Sequence, residues 1–236
     1  MKKEVPINCE HCTSLAKGTF CFLKIAEIEN IEHRKVFITY KKGQTLFVQG
    51  NHPYGFYCIS KGNVKLTKQG SEGKESILRI AQAGDIVGHK NLLTEDKYSW
   101  TATVLEDTDV CFIEKKFLIN IIQNNSFVAL NIINKLSVDM KNAYNKFTSL
   151  HQKNVRERLA ELLLALTTSH GIQEEKCIRI NLKLSREEMA TIIGTANETL
   201  IRFLTEFKEA GILEQKGKVL YIKDEEKLIN WANSNF

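Results

Sequence analysis

Apolar residues near the C-terminal end of the chain fall at helical spacing on either side of one glycine. Met189, Ile192 and Ile193 share one face of a first short helix, Gly194 follows, and Leu200, Phe203, Leu204 and Phe207 then recur at i, i+3, i+4 and i+7. Ser185 stands three residues before Glu188, so hydroxyl and carboxylate can each satisfy an orphaned N–H at the start of the first helix. A glycine between two amphipathic helices allows the sharp turn of a helix-turn-helix. With the stripe of the second helix turned inward, Asn197, Glu198, Ile201 and Arg202 face outward. Arginine can grip guanine bidentately and glutamate can accept from cytosine, so this face carries side chains suited to a major groove. The bland alternative is a surface ion pair between Glu198 and Arg202, four residues apart. Two short apolar runs around Gly217 predict a hairpin flanked by Lys216, Lys218 and Lys223, either a wing along phosphates or a plain edge hairpin.

Further upstream, Ala129, Ile133, Leu136, Met140, Ala143, Phe147 and Leu150 follow an unbroken 4,3 repeat, the seam of a parallel coiled coil. Burial of that stripe against the chain's own N-terminal half is the monomeric alternative. That half reads as short strands between glycine turns: residues 36–40, 54–62, 64–66, 76–80, 84–88, 101–105 and 110–113 alternate or run apolar, which predicts an all-β roll or barrel. The expected organisation is therefore α+β. It comprises a cysteine-bearing segment (1–24), an antiparallel β-roll (25–125), a dimerisation helix (126–152) and a winged helix-turn-helix (153–236).

Composition narrows the chemistry. At 236 residues, 43% hydrophobic and 26% charged, the chain can bury a core in each half. No apolar run approaches the ~18 residues of a membrane span, and the first residues lack a signal-peptide core, so no membrane partner and a cytoplasmic location are expected. The net charge of +5 does not mark the DNA-binding half. Residues 151–236 hold 13 basic against 13 acidic side chains, and the excess lies in residues 1–150, with 20 against 15. Affinity for DNA must then come from local placement of cations and from dimerisation. Six cysteines in a reducing compartment point away from disulfides. Cys9, Cys12 and Cys21 form a compact cluster suited to iron–sulfur or zinc ligation, with a metal-free lining as the alternative. Cys58 and Cys177 read as small buried hydrophobes. An enzyme with Cys9 and Cys12 as a redox dithiol lacks the βαβ context such enzymes have, so no enzymatic activity is expected.

Residues 194–202, the wing and the N-terminal roll resemble the cyclic-AMP receptor / fumarate-nitrate regulator (CRP/FNR) family of bacterial transcription factors over nearly the whole chain. The resemblance implies a homodimer on palindromic double-stranded DNA, acting on RNA polymerase. Glu198 and Arg202 would read bases at a TGA-like core, with Asn197, Thr199 and Ser185 as further candidate contacts. Ala196 stands where relatives cap the recognition helix with Ser or Thr, so the cap is expected to pass to Thr195 or Asn197. Relatives that bind cyclic nucleotide hold it with a Glu after a Gly-Asp-x-x-Gly turn and an Arg-Ser pair. Here His89 follows Gly88 and Tyr98 precedes Ser99, so cyclic AMP in the usual mode is not expected, and His89 reads as an ordinary polar loop residue. The oxygen-sensing branch, which the cysteines resemble most, carries three N-terminal cysteines and a fourth before the long helix, a position that Cys111 matches. The resemblance thus implies a 4Fe-4S cluster on Cys9, Cys12, Cys21 and Cys111, although eight residues separate Cys12 from Cys21 where five are common. The other readings are structural zinc or a different effector. An acidic residue that keeps some cluster-free relatives monomeric has no counterpart here, where Met140 and Ala143 occupy the seam.

Overall fold

The computed structural model describes residues 9, 12, 15, 18, 20–70, 73 and 75–233. Of the predicted segment 1–24, most residues lie outside that set. The chain divides into two compact units, one ending at Met140 and one beginning at Lys141, with the division inside one long helix.

The first unit begins with α1 (Ile25–Arg34) and then builds eight short strands: β1 (Val36–Tyr40), β2 (Thr45–Phe47), β3 (Gly55–Lys61), β4 (Asn63–Gln69), β5 (Glu75–Gln82), β6 (Ile86–Val87), β7 (Thr101–Val104) and β8 (Thr108–Glu114). They form two antiparallel four-stranded sheets, in the orders β1-β8-β3-β6 and β2-β7-β4-β5. Val64 and Leu66 alternate inward along β4 and share one core cluster with Ile59 of β3 and Val110 of β8, whereas Phe56 and Ile113, on the opposite face of β3 and β8, join a second cluster with Phe117, Leu118, Val128 and Ile132. Gly62, at φ +94°, turns β3 into β4 where a side chain would run into Thr108. Among the described residues four elements of this unit were not predicted from the sequence: β2, α1, α2 (His89–Thr94) and the helix Lys115–Asn124.

His89 departs from its reading as a polar loop residue. It opens α2, is 2% exposed, and neither ring nitrogen has a hydrogen-bond partner among the described residues. Burial, then the cations Lys90 and Arg79, push its pKa down to about 4, so the ring is neutral at neutral pH. Tyr98 is equally enclosed: it stacks on Phe47 with ring centroids 3.9 Å apart and donates its hydroxyl to the Gly55 carbonyl.

Helix α3 (Lys115–Asn124) leads into α4 (Ser126–Gln152), 27 residues long. One face of α4 belongs to the roll. Val128 and Ile132 are buried in its core, and Lys135 and Asp139 enter an ion network in which Arg79 bridges Asp85 and Asp139, Lys90 pairs with Asp139 and Lys135 with Asp85, at 2.7–3.2 Å. Arg79 and Lys135 hold the Asp85 carboxyl below its usual range against the opposing effect of burial. The heptad face is another matter. Ile133, Met140 and Phe147 are 55–64% exposed, Ala143 and Leu150 are exposed, and only Ala129 and Leu136 are half-buried. The single chain therefore does not bury its seam.

In the second unit, α5 (Val155–His170) starts with Asn154 and Glu157 capping each other's backbone N–H groups. A four-stranded antiparallel sheet follows, in the order β11-β12-β10-β9, from β9 (Gly171–Glu174), β10 (Cys177–Ile180), β11 (Leu213–Lys216) and β12 (Val219–Ile222). Helices α6 (Arg186–Ile193) and α7 (Asn197–Glu209) lie between the two hairpins, and α8 (Glu225–Ala232) closes the unit. Cys177 is half-buried at the edge of β10 and donates to Glu174 at 3.8 Å, so it is less enclosed than the sequence suggests. Among the described residues no helix is long and apolar enough to cross a membrane.

Candidate DNA-binding face and thiol pocket

Helices α6 and α7 form the expected pair around Gly194, whose φ of +67° places it in the left-handed region that favours glycine. Ser185 accepts from the Glu188 N–H at 3.0 Å while Glu188 accepts from the Ser185 N–H at 2.9 Å, so Ser185 is occupied as a cap. Met189, Ala190 and Ile193 make the buried face of α6; Ile192 is only half-buried, because Ala190 takes the inward place expected for it. On α7, Leu200, Leu204 and Phe207 are fully enclosed and Phe203 half so. The turn between the helices is held from behind by Arg158 of α5, which donates to the carbonyls of Ile193 (2.8 Å), Gly194 (3.3 Å) and Lys153 (2.8 Å). Sequence reasoning missed Arg158, since nothing in its spacing marks a contact 35 residues away. A second brace sits below α7, where Arg156 lies 3.6 Å above the Trp231 ring, pairs with Glu206 at 3.0 Å, and Trp231 meets Phe207 edge-on.

Against this braced back, the outward residues are free to act. Asn197, Glu198, Ile201 and Arg202 are all exposed, Thr199 half-buried. Glu198 and Arg202 form no ion pair with each other among the described residues, and the Arg202 guanidinium lies 5.0 Å from the centre of the Phe203 ring. Ala196 is the N-cap and no side chain caps α7, so neither Thr195 nor Asn197 takes over that role. The first-turn N–H groups stay open at a helix end that favours anions. The wing is real: β11 and β12 pair from Leu213–Ile222 to Lys216–Val219 around Gly217. Two of its lysines, Lys216 and Lys223, both pair with Glu214, at 3.3 and 3.7 Å.

The cysteines meet inside the first unit. Cys9, Cys12, Cys58 and Cys111 line one cavity with about 30 Å³ of free space, walled otherwise mainly by Leu15, Phe20, Ile31, Ile59, Ile86 and Ile113. Cys58 and Cys111 are direct partners across β3 and β8. Cys21, expected among them, is exposed and does not line the cavity; its Sγ accepts from Asn131 at 3.7 Å. Burial pushes the Cys9 thiol up to about 12 and Cys111 to about 11, and drives Cys58 well above its ordinary value. Beside Cys9 lies one buried cation. Lys35 donates to Cys9 Sγ at 3.2 Å and to Glu32 at 2.8 Å, and Glu32 also accepts from the Cys9 N–H. Burial would raise Glu32, but Lys35 and the Cys9 N–H outweigh it and bring the carboxyl down to about 2. Among the described residues no three His, Cys, Asp or Glu side chains converge on a point that could hold a single ion.

Comparison with known proteins matches both halves. The cyclic nucleotide-binding domain model matches residues 37–125 and the Crp-like helix-turn-helix domain model residues 157–231. The chain is 28% identical to the fumarate and nitrate reduction regulatory protein of Vibrio cholerae, over 96% of this chain and 90% of that one. It is 25% identical to a CRP-like cAMP-activated global transcriptional regulator of Mycobacterium tuberculosis, over 83% and 87%. A solved structure of a CooA mutant from Carboxydothermus hydrogenoformans superposes with a TM-score of 0.71 at 27% identity, covering 84% of this chain and 88% of that one. These relatives come from different sensory branches, so they assign the family without placing the chain nearest to any one branch. With an N-terminal roll, a long helix and a C-terminal winged helix-turn-helix all present, the chain belongs to the CRP/FNR family of DNA-binding transcription regulators, and it is not an enzyme.

Proposed function

We propose that two copies of the chain pair through α4 and read a palindromic DNA site with α7, under the control of a redox-sensitive metal centre in the thiol pocket of the roll. The observation that carries the DNA reading is the outward set Asn197, Glu198 and Arg202 on a helix whose opposite face and preceding turn are held rigidly. Glu198 and Arg202 read base edges in the major groove, and the uncapped start of α7 sits on a phosphate. Thr199, half-buried, serves as a supporting contact to the DNA backbone, while Ser185, committed to its cap, acts only by holding the start of α6. Exposed Ile133, Met140, Ala143, Phe147 and Leu150 supply the seam for the second copy. Asp139, next to Met140 in the chain, is turned into the ion network with Arg79 and Lys90, so it does not oppose pairing. From this site the dimer engages RNA polymerase in the bacterial cytoplasm.

The sensor reading rests on the donor set. Four thiols around an apolar space suit a 4Fe-4S cluster, which would supply oxygen-sensitive redox chemistry when bound. Free space of about 30 Å³ holds a body the size of one water, so loading requires Leu15 and Phe20 to yield outward. Zinc is the second reading, favoured by the small volume; it too requires the thiols to draw together. A cyclic nucleotide in the usual mode is disfavoured, because neutral His89 and stacked Tyr98 offer no counter-charge where a phosphate would lie.

The test of the DNA reading is a fluorescence-anisotropy titration with a palindrome of TGA-type half-sites and a scrambled duplex. Arg202→Ala is expected to weaken the specific site by about 1–3 kcal/mol and leave the scrambled duplex nearly unchanged. An equal loss on both would reduce Arg202 to a phosphate contact.

A further inference from the structure

We infer that the roll carries a second ligand site, independent of the thiol pocket: an open aromatic cavity that takes an uncharged, planar, fused-ring molecule with one hydrogen-bonding edge. Strand register sets its floor. Tyr57 on β3 stands opposite Phe112 on β8, and alternation puts both on the face that also carries Ile59 and Val110 into the core between the two sheets. At the end of that core the rings are left uncovered. Phe47, Tyr57, Tyr98 and Phe112 line a cavity with about 440 Å³ of free space, within the roughly 300–1,000 Å³ of small-molecule sites. Every residue around it belongs to the described set.

The rings hold one another in place. Phe47 stacks on Tyr98 with centroids 3.9 Å apart and lies 5.9 Å from Tyr57, whose ring is 5.1 Å from that of Phe112. Gly55 makes room for them, since a Cβ there would run into the Phe112 ring. Tyr57 and Tyr98 donate their hydroxyls to the Leu46 and Gly55 carbonyls, at 3.0 and 3.2 Å. Burial pushes Tyr98 up to about 12 and raises Tyr57 as well, so both stay uncharged. No Lys, Arg, Asp or Glu borders the cavity, and an ionised ligand would give up its water for no counter-charge. What the walls offer is ring faces and edges for stacking. Polar recognition is confined to the rim, where the Asn51 amide and the His52 ring stand beside Tyr54, which is 81% exposed. His89 and Ser99, at positions where relatives hold a nucleotide phosphate, do not border the cavity. A Cβ added at Gly88 would lie 3.3 Å from Tyr98 and 3.6 Å from Phe47, so the two rings back directly onto the turn into α2, whose Lys90 pairs with Asp139 of α4.

The experiment is calorimetry on the full-length protein at pH 8 with a matched pair of probes, 2-naphthamide and 2-naphthoate, which share their rings and differ in charge. Wild type, Tyr54→Ala and Asn51→Ala are compared, both changes at exposed positions, and thermal melts establish that each variant is folded. One saturable site per chain is expected for 2-naphthamide, with 2-naphthoate at least about tenfold weaker. Tyr54→Ala is expected to weaken 2-naphthamide about fivefold through the lost ring, and Asn51→Ala about threefold through the lost amide. No saturable binding of 2-naphthamide below about 1 mM overturns the site, because a ligand of this size that fits should exceed that affinity. Equal affinity for 2-naphthoate overturns the uncharged class. Affinity unchanged in both variants places the probe elsewhere and overturns the cavity.

Discussion

The helix-turn-helix and the thiol pocket use polar chemistry in opposite senses. Around Gly194 the chain spends its polar groups on itself: Ser185 with Glu188 at the start of α6, and Arg158 on three carbonyls behind the turn. Asn197, Glu198 and Arg202 are left exposed for something outside. In the roll the sulfur atoms face inward among aliphatic and aromatic walls, in a space too small for what they would hold. Rigid support suits a surface that must read a fixed groove geometry, and a cramped, adaptable pocket suits a site whose occupancy must change the chain around it.

Breaking the rigid side should give the largest effect. Phe207→Ala removes a fully buried ring that meets Trp231 edge-on, and a loss of about 3–5 kcal/mol is expected in the thermal melt, with DNA binding lost as a consequence. Arg202→Ala, on the outer face of the same helix, should leave that melt in place. A normal melt for Phe207→Ala would mean that α7 is not held by its inner face.

Acid should separate the two units next. His89 is neutral when folded because its pKa is near 4, while in the unfolded chain it takes up a proton below about 6.5. The unfolded state therefore binds more protons in that window, and stability of the first unit is expected to fall by roughly 3 kcal/mol as pH drops from about 6.5 to about 4. Denaturant melts across this range check it, with His89→Leu flattening the dependence. An unchanged slope in that variant would remove His89 as the cause.

Smaller still is the cap of α6. Ser185→Ala should cost about 1 kcal/mol in stability, since it orphans the Glu188 N–H without touching the reading face. A much larger loss of DNA affinity than of stability would instead make Ser185 a direct contact.

How far the sequence carried this picture depends on the range of the interactions. The α7 stripe, the Ser185–Glu188 capping box and the hairpin at Gly217 are local, set by residues within a few positions of one another, and all three stand in the structure. Hairpin β9–β10 was not legible because Gly171–Glu174 is exposed throughout and gives no apolar pattern. The α7 cap went to no side chain, an outcome that local propensity does not decide. His89 was misread because whether a lone imidazole is a loop residue or a buried one is set by the distant chain that packs over it, which local spacing does not show. Cys21 shows the converse: its spacing to Cys12 suggested a ligand, and packing of the adjacent Phe20 turned it outward.

The coupling of the two regions is the central claim, and one titration tests it most directly. Affinity for the palindrome and for the scrambled duplex is measured on protein kept anaerobic after iron–sulfide loading and on the same preparation after exposure to air, with sedimentation in parallel. The account predicts that air changes affinity for the palindrome by about tenfold or more, leaves the scrambled duplex unaffected, and leaves the protein dimeric through its uncharged seam. Equal affinity for the palindrome before and after air, with the visible absorbance bleached, would contradict it.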